Sequence, residues 1–458
     1  MSYLRNDKTI YVIAILFLIV KLFTLSYYDI VWWDSAVYIG MGKHIFGDSG
    51  LWEDSRPIVW PLMLGFLWKT GFNVILFGRI LEIILGSLVI LMTYIIGKKI
   101  SNKKIALLAS IFLAFSPTFF FFNGVMLTGI VSTFFSLTGI YFFIGRKYII
   151  SGLLLGIAFM ARFLQLFVFS SALLVALIYL NRVKIENLIR LVMGFAASTA
   201  PFLIFNHIMY NNELFPLFQQ FLLSSNSGWF NFQPVNFYFI QLFRENFLYL
   251  MFAPGIILML RMKNISRITI VGIFLLFFIF FNLIKQKEMR FLILLLPYIY
   301  LLASYSIFFI ADKLKNNYAK KTIFVIVGAS IAFSLINIST LYKNELNKFD
   351  KYKILQDQFE ADEISGDLWV SSPVIPVFSD KKISKLMYYP FFNQEKNEEL
   401  VKESYDADFI FLDSCDLACR PSDIGCESDK TELIDYFKSE FSILYESGDG
   451  CEQFVFGK

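Results

Sequence analysis

Long apolar runs alternate with short polar connectors over the first three quarters of the chain. They fall at 10–28, 74–97, 105–122, 125–144, 149–161, 164–180, 188–209, 245–260, 267–284, 291–310 and 322–340. Most approach the roughly 20 residues that a helix needs to cross a bilayer's hydrocarbon core, which predicts about 11 crossings. The stretch from Ile58 to Lys69 is too short for one and is expected to lie as a partial or interfacial helix. Beyond 342 the pattern changes. Lys343 to Glu363 is polar and helix-like, 367–371, 408–412 and 453–456 are strand-like, and 395–404 and 430–440 are helical candidates. The expected fold is an α-helical polytopic membrane module over 1–342 followed by a small α/β domain over 343–458.

Composition agrees with that division. The 458 residues are 57% hydrophobic, 18% aromatic and only 17% charged, with mean hydropathy +0.61, which excludes a soluble globular enzyme. Charge is unevenly spread: residues 1–342 hold 28 Lys and Arg against 12 Asp and Glu, and 343–458 hold 13 against 25. The basic residues of the first region sit in alternate connectors, at Lys98-Lys99 with Lys103-Lys104, Arg146-Lys147, Arg182 with Lys184 and Arg190, Arg261 with Lys263 and Arg267, and 313–321. This pattern reports topology, not a nucleic-acid partner, and by the positive-inside rule puts those connectors in the cytoplasm. A weakly basic start (Arg5, Lys8) without a small-residue cleavage site reads as a cytoplasmic N-terminus and a retained first helix, with a cleaved signal peptide as the alternative.

An odd number of crossings places the tail outside the cytoplasm. All four cysteines, Cys415, Cys419, Cys426 and Cys451, lie in it. Two disulfides are expected, with three pairings open; a zinc site competes, but the spacings lack CxxC and the tail has no histidine. No glycine loop for nucleotides is visible, so the tail's expected role is to cap or shape the external face.

Ionisable groups at membrane depth are costly and usually line a functional cavity. On the predicted outer face they are few: Asp34, Glu53, Asp54 and Arg56 in the first loop, Arg162 alone in GIAFMARFLQL, and Lys285, Lys287, Glu288 and Arg290 in KQKEMR. An acid near several bases at the ends of separate helices suits transfer from a phosphate-linked donor, the acid taking a proton and the cations holding the departing phosphate.

Four stretches resemble the GT-C superfamily of integral membrane glycosyltransferases, which includes protein O-mannosyltransferases, the lipid A aminoarabinose transferase and the dolichyl-phosphate-mannose-dependent mannosyltransferases. They are DSAVY (34–38), RPIVWP (56–61), GLLLGIAFMAR (152–162) and KEMRFLILLLP (287–297). The last is similar to the signature of the dolichyl-phosphate-mannose-dependent branch, with Gln286 where a His usually stands. The chain departs from the family at Ser35, where a second acid often follows the first, and at Gly129, where another acid is common. The resemblance implies transfer of a sugar, mannose in preference, from a polyprenyl- or dolichyl-phosphate carrier to a protein, glycan or lipid acceptor outside the cytoplasm, at the cell membrane.

In that reading Asp34 is the general base of an inverting displacement, against the alternative of a solvated interfacial acid. Lys287 and Arg290 bind the donor phosphate, with Arg56, Arg162, Lys285 and Tyr38 as further candidates; interfacial anchoring is the alternative for these cations. Glu53 and Asp54 bind acceptor or sugar hydroxyls, or simply make a hydrophilic loop. Glu288 orients a basic neighbour. Arg79 and Glu82, three apart on a predicted helix, are read as a structural pair. His44 and His207 have no metal-ligand spacing, and no cofactor or metal is required. The aromatic segment 211–244 suits interfacial helices framing a lipid entry, or plain membrane anchoring. The competing class is a lipid or solute transporter, although no paired internal repeat is visible.

Overall fold

The computed structural model describes residues 7–25, 31–226, 232–345, 366–387 and 393–458. Four helices within it, Val74–Ile100, Ile185–Tyr210, Ile265–Leu283 and Asn317–Tyr342, are long and apolar enough to cross a membrane by length and composition. The expected interfacial helix is present at Val59–Lys69, and a second short helix, Trp33–Phe46, precedes it in the same connector.

Several of the expected crossings are interrupted by a new helix start, an extended residue or a 3-10 turn. The 105–122 run divides into Lys103–Ala114 and Pro117–Phe122, because Pro117 starts a new helix and the Ser116 hydroxyl accepts the Phe119 N–H at 3.3 Å as its cap. Tyr148–Ala161 and Leu166–Ile178 are separated by Arg162, which is extended (φ −160°, ψ 116°), and a short 3-10 turn. Further 3-10 turns, Phe247–Met251 and Met289–Leu294, lead into helices Phe252–Arg261 and Leu296–Lys313. These breaks leave polar side chains at helix ends, where a site can be built.

Helices Tyr148–Ala161 and Ile185–Tyr210 cross with their backbones in contact. A Cβ on Gly152 would stand 2.1 Å from the Leu191 carbonyl oxygen, and one on Gly194 would stand 2.2 Å from that of Ile149. Small residues at such crossings are how helices pack where lipid removes the hydrophobic drive. Away from the tail, buried Asp7 accepts from Lys98 and Lys103, both at 2.6 Å, and ties the start of the first helix to a distant connector.

The tail holds a five-stranded sheet, β1 (Leu368–Val370), β2 (Ile383–Leu386), β3 (Phe409–Asp413), β4 (Ser442–Asp449) and β5 (Cys451–Gly457), in the order β2-β1-β3-β5-β4. The first three strands run parallel and β5 is antiparallel to both its neighbours. The sheet's two faces have different partners, as the two-residue period of a strand dictates. Leu368, Val370, Phe411 and Val455 belong to the same apolar core as the helical bundle, whereas Trp369, Ile410, Leu412, Phe454 and Phe456 pack with helices Gln394–Glu403 and Cys426–Glu440. Strands β2 and β4 were not anticipated: both are edge strands, β2 only four residues long with a single buried apolar side chain, Ile383, and β4 largely exposed, so they carry little apolar signal. Helix Asn317–Glu345 continues into the predicted polar helix of 343–363, the remainder of which lies outside the described residues.

Of the three open pairings, the structure forms Cys415–Cys451 and Cys419–Cys426, leaving no thiolate for zinc. The first link closes a span of 36 residues and the second only 7. In the chain-entropy account, Cys415→Ser therefore costs about 4 kcal/mol of tail stability and Cys419→Ser about 2 kcal/mol. Limited proteolysis of the tail against urea concentration, each variant beside wild type, should rank them in that order.

Candidate functional site

Asp34 occupies the first turn of helix Trp33–Phe46, where the helix dipole favours a negative charge. The turn is fixed from behind by Ser35, whose hydroxyl donates to the Val125 carbonyl at 2.6 Å. Two distant arginines converge on the carboxylate. Arg56, from the loop before Val59–Lys69, places Nη1 3.0 Å from Oδ1, and Arg290, from the turn Met289–Leu294, donates from Nη1 to Oδ2. Asp34 is only 18% exposed. Burial penalises its charge, yet the Arg56 and Arg290 guanidiniums outweigh that penalty and hold its carboxyl well below the usual carboxylate range.

Each arginine is itself oriented by an acid. Glu53 Oε1 accepts from Arg56 Nε at 2.9 Å and from the Ser55 hydroxyl at 2.7 Å, while Glu53 Oε2 is buried without a hydrogen-bond partner. Glu288 grips Arg290 with both oxygens, Oε2 on Nε and Oε1 on Nη2 at 3.1 Å; Gln286 Nε2 donates to Oε1 at 3.2 Å. Tyr38, one turn beyond Asp34, lies with its ring 5.9 Å from the Arg56 guanidinium, and burial raises its hydroxyl's pKa so that it stays a neutral donor. Arg162 and Arg290 approach the ring of Phe291, at 5.6 and 5.7 Å. Arg162 feels the charges of Asp34, Arg290 and Glu288, and no hydrogen bond engages its guanidinium among the described residues.

Asp34, Arg56, Arg290, Arg162, Tyr38 and Glu53 thus form one cluster, and three other sequence candidates are occupied elsewhere. Lys287 is buried and donates from Nζ to the Gln233 and Ile284 carbonyls, closing the end of helix Ile265–Leu283. Lys285 is exposed, and its backbone carbonyl accepts from Gln233 N–H. Asp54 accepts from Trp52 Nε1 at 2.8 Å and from the Tyr210 hydroxyl at 2.6 Å, which ties the first loop to the end of helix Ile185–Tyr210. The His44 ring lies tilted against that of Trp52, and His207 meets Glu213 at the surface.

Glu82 has partners that its spacing from Arg79 did not foretell. Its carboxylate accepts the backbone N–H groups of Gly124, Met126 and Leu127 and so holds the loop that receives Ser35 and Trp60, whose Nε1 donates to the Met126 carbonyl at 2.9 Å. Lys21, likewise buried, donates to the Phe120 carbonyl at 2.8 Å and the Tyr342 hydroxyl at 2.7 Å. Lys21 was overlooked because it falls inside the first apolar run, although a lone cation there is itself a signal. Gly129 lies against Ile293, its Cβ position 3.3 Å from that side chain, so the place where relatives often carry an acid is apolar here.

The site is a largely buried acid held by two basic groups at helix breaks of an apolar bundle, and the comparisons place the chain among the GT-C membrane glycosyltransferases. The chain belongs to the Alg9-like mannosyltransferase family, whose profile matches residues 8–364. Its fold is that of ArnT from Cupriavidus metallidurans bound to undecaprenyl phosphate, with a TM-score of 0.68 at 12% identity, covering 98% of each chain. The oligosaccharyltransferase AglB from Archaeoglobus fulgidus, in complex with an inhibitory peptide and a dolichol-phosphate, aligns at TM-score 0.60 and 12% identity over 99% of this chain and 74% of its own. The mycobacterial arabinofuranosyltransferase AftD aligns at 0.57 and 11% identity over 99% of this chain and 40% of its own. Sequence comparison with curated proteins finds no match. The protein is a multi-pass membrane glycosyltransferase, which sets the transporter alternative aside.

The Asp34 clamp has a defined pH signature. Its folded pKa lies below the unfolded value, so the stability it contributes is fully present above roughly pH 4 and is lost as pH falls through the depressed folded value. Asp34→Asn leaves both arginines without their shared counter-charge. Its deficit in thermal stability relative to wild type, followed in detergent, should be constant from about pH 5 to 8 and shrink below about pH 4.

Proposed function

We propose that the protein transfers a sugar, mannose in preference, from a polyprenyl- or dolichyl-phosphate donor to an acceptor hydroxyl on a protein, glycan or lipid, with inversion at the anomeric carbon. The observation that carries this reading is the placement of both oxygens of Asp34 between Arg56 and Arg290, with the unengaged guanidinium of Arg162 nearby. It is supported by the family's name and by the undecaprenyl phosphate and dolichol-phosphate of the ArnT and AglB complexes. The reaction belongs on the tail side of the bundle, which we assign to the outside of the cell membrane, with the N-terminus in the cytoplasm. Residues 1–342 then form the catalytic module and 343–458 its external domain.

Asp34 in its resting clamp is a weak base, because a carboxylate with a depressed pKa has little affinity for a proton. A donor phosphate arriving at Arg162 and Arg290 shares the charge that otherwise falls on Asp34 and raises the carboxyl toward a useful range. The acceptor oxygen then attacks the anomeric carbon, its proton passes to Asp34, and the bond from that carbon to the phosphate oxygen breaks. The departing polyprenyl phosphate carries away the electron pair, and the guanidiniums stabilise its developing charge. Tyr38 donates a neutral hydrogen bond within the same pocket. The unpaired oxygen of Glu53 receives a sugar or acceptor hydroxyl, whereas Asp54 is held away from that role by the Trp52 and Tyr210 donors that both fasten its Oδ1. Lys287 shapes the turn that presents Arg290, and Lys285 remains at the surface.

Purified enzyme given radiolabelled polyprenyl-phosphate mannose, alongside the glucose-bearing analogue and a nucleotide-mannose, should move label from the mannose-bearing lipid into an acceptor fraction. Asp34→Asn should lower transfer by at least about 100-fold while polyprenyl phosphate still binds. Arg290→Ala should raise the donor KM roughly tenfold to a hundredfold, the worth of a charge-assisted phosphate contact. Unchanged transfer by Asp34→Asn rejects it as the base, and direct use of nucleotide-mannose rejects the lipid donor.

A further inference from the structure

The far end of the helix that carries Asp34 is gripped by the tail. Lys43, in its last turn, is buried with a side chain 4% exposed. Its ammonium donates to the Ser379 carbonyl at 3.0 Å, the Val377 carbonyl at 3.4 Å and Asp380 Oδ1 at 2.8 Å, which uses all three of its donors. Trp68, from the following helix, donates from Nε1 to the same Asp380 oxygen at 3.2 Å, and its ring lies 6.0 Å from the ammonium. Seven residues on, Gly50 joins the tail sheet as an extra parallel edge, its N–H donating to the Lys381 carbonyl at 2.9 Å and its carbonyl accepting from Ile383 at 2.8 Å. Gly50 is in the left-handed region (φ +79°), and a Cβ there would stand 2.2 Å from the Gly40 carbonyl oxygen, inside the same helix.

A domain that merely covered the bundle would dock as well on an apolar residue, and burying an ammonium costs several kcal/mol before its contacts offset it. What the polar contacts add is direction. The three acceptors fix the lysine's position along the helix axis, and the Gly50 bridge fixes the chain that leaves it. Asp34 lies nine residues before Lys43, about 14 Å along a rigid helix, so an axial or rotational error at one end is carried to the other. Arg290, which must also meet Asp34, comes from a segment 256 residues away and does not follow such a movement.

We propose that Lys43 is a positioning residue: its contacts with Val377, Ser379 and Asp380 make the tail the element that sets where Asp34 stands between Arg56 and Arg290. This rests on the reading of Asp34 as general base given above. An ångström of misplacement at a reacting group is worth on the order of 100-fold in rate. Lys43→Met, which keeps the side chain's length and removes its donors, should therefore lower transfer from polyprenyl-phosphate mannose by about tenfold to a hundredfold per binding site. Sites are counted by polyprenyl phosphate titration, whose stoichiometry and affinity should stay within about twofold of wild type, since the phosphate cations are untouched. Asp380→Asn, which keeps both carbonyl contacts and changes a side chain 66% exposed, should fall in the same direction by about threefold to tenfold and serves if Lys43→Met does not fold. An unchanged rate per site in either folded variant, or a rate loss matched by lost binding sites, overturns the positioning role and leaves the tail a cap. Wild-type protein that binds no polyprenyl phosphate overturns the donor reading, and this proposal with it.

Discussion

A single carboxylate held by two guanidiniums organises this protein. Asp34, Arg56 and Arg290 belong to three segments, and the pairing of Asp34 with Arg290 closes 256 residues of chain. Removing three charges from water is costly and is offset only when geometry is good and the remaining donors find acceptors. Glu53 and Glu288 serve that need, one on each arginine. Much of the architecture around the site can be understood as holding these five side chains in register: the Glu82 carboxylate on the loop behind Ser35, the Asp54 bond to Tyr210, and the tail's hold on Lys43.

Under the proposed function the same cluster separates a resting from a loaded state of the site. Without a donor the positive and negative charges are matched among themselves, which protects a buried site from collecting stray anions. In the proposed reaction a donor phosphate enters by exchange, taking contacts from Asp34, and the carboxylate gains basicity as the substrate binds. In that proposal the exchange begins at Arg162, which lies over Phe291 and makes no guanidinium hydrogen bond among the described residues.

The parts legible in the sequence were those with local signals. Asp34 and Arg290 stood out because ionisable residues at the ends of apolar runs are rare, and Arg162 did so as the lone charge between two such runs; the break at Pro117 falls inside a run read as continuous. Lys287 and Arg290 were indistinguishable, because three residues of separation say nothing about which side chain faces the site when the intervening backbone turns from extended to 3-10. Asp54 looked like Glu53 until Tyr210, 156 residues away, claimed it. Glu82 was visible as a buried acid, but its partners are backbone N–H groups, which leave no trace in residue identity. Lys43 was invisible for a similar reason: two of its acceptors are carbonyls more than 330 residues distant.

Strand β5, residues 451–457, lies between β3 and β4, and β3, β1 and β2 link it in turn to Gly50 in the first loop. During synthesis it leaves the ribosome after every other described element, when the bundle's helices have already entered the bilayer. The five-stranded sheet cannot close before then, although the partners of the early loop, Lys381 and Ile383, are made well before β5. A chain that lacks its last strand would therefore keep the docking seam of the first loop but carry a sheet left open between β3 and β4, so that loss of β5 strains the tail's own closure before it touches the membrane body.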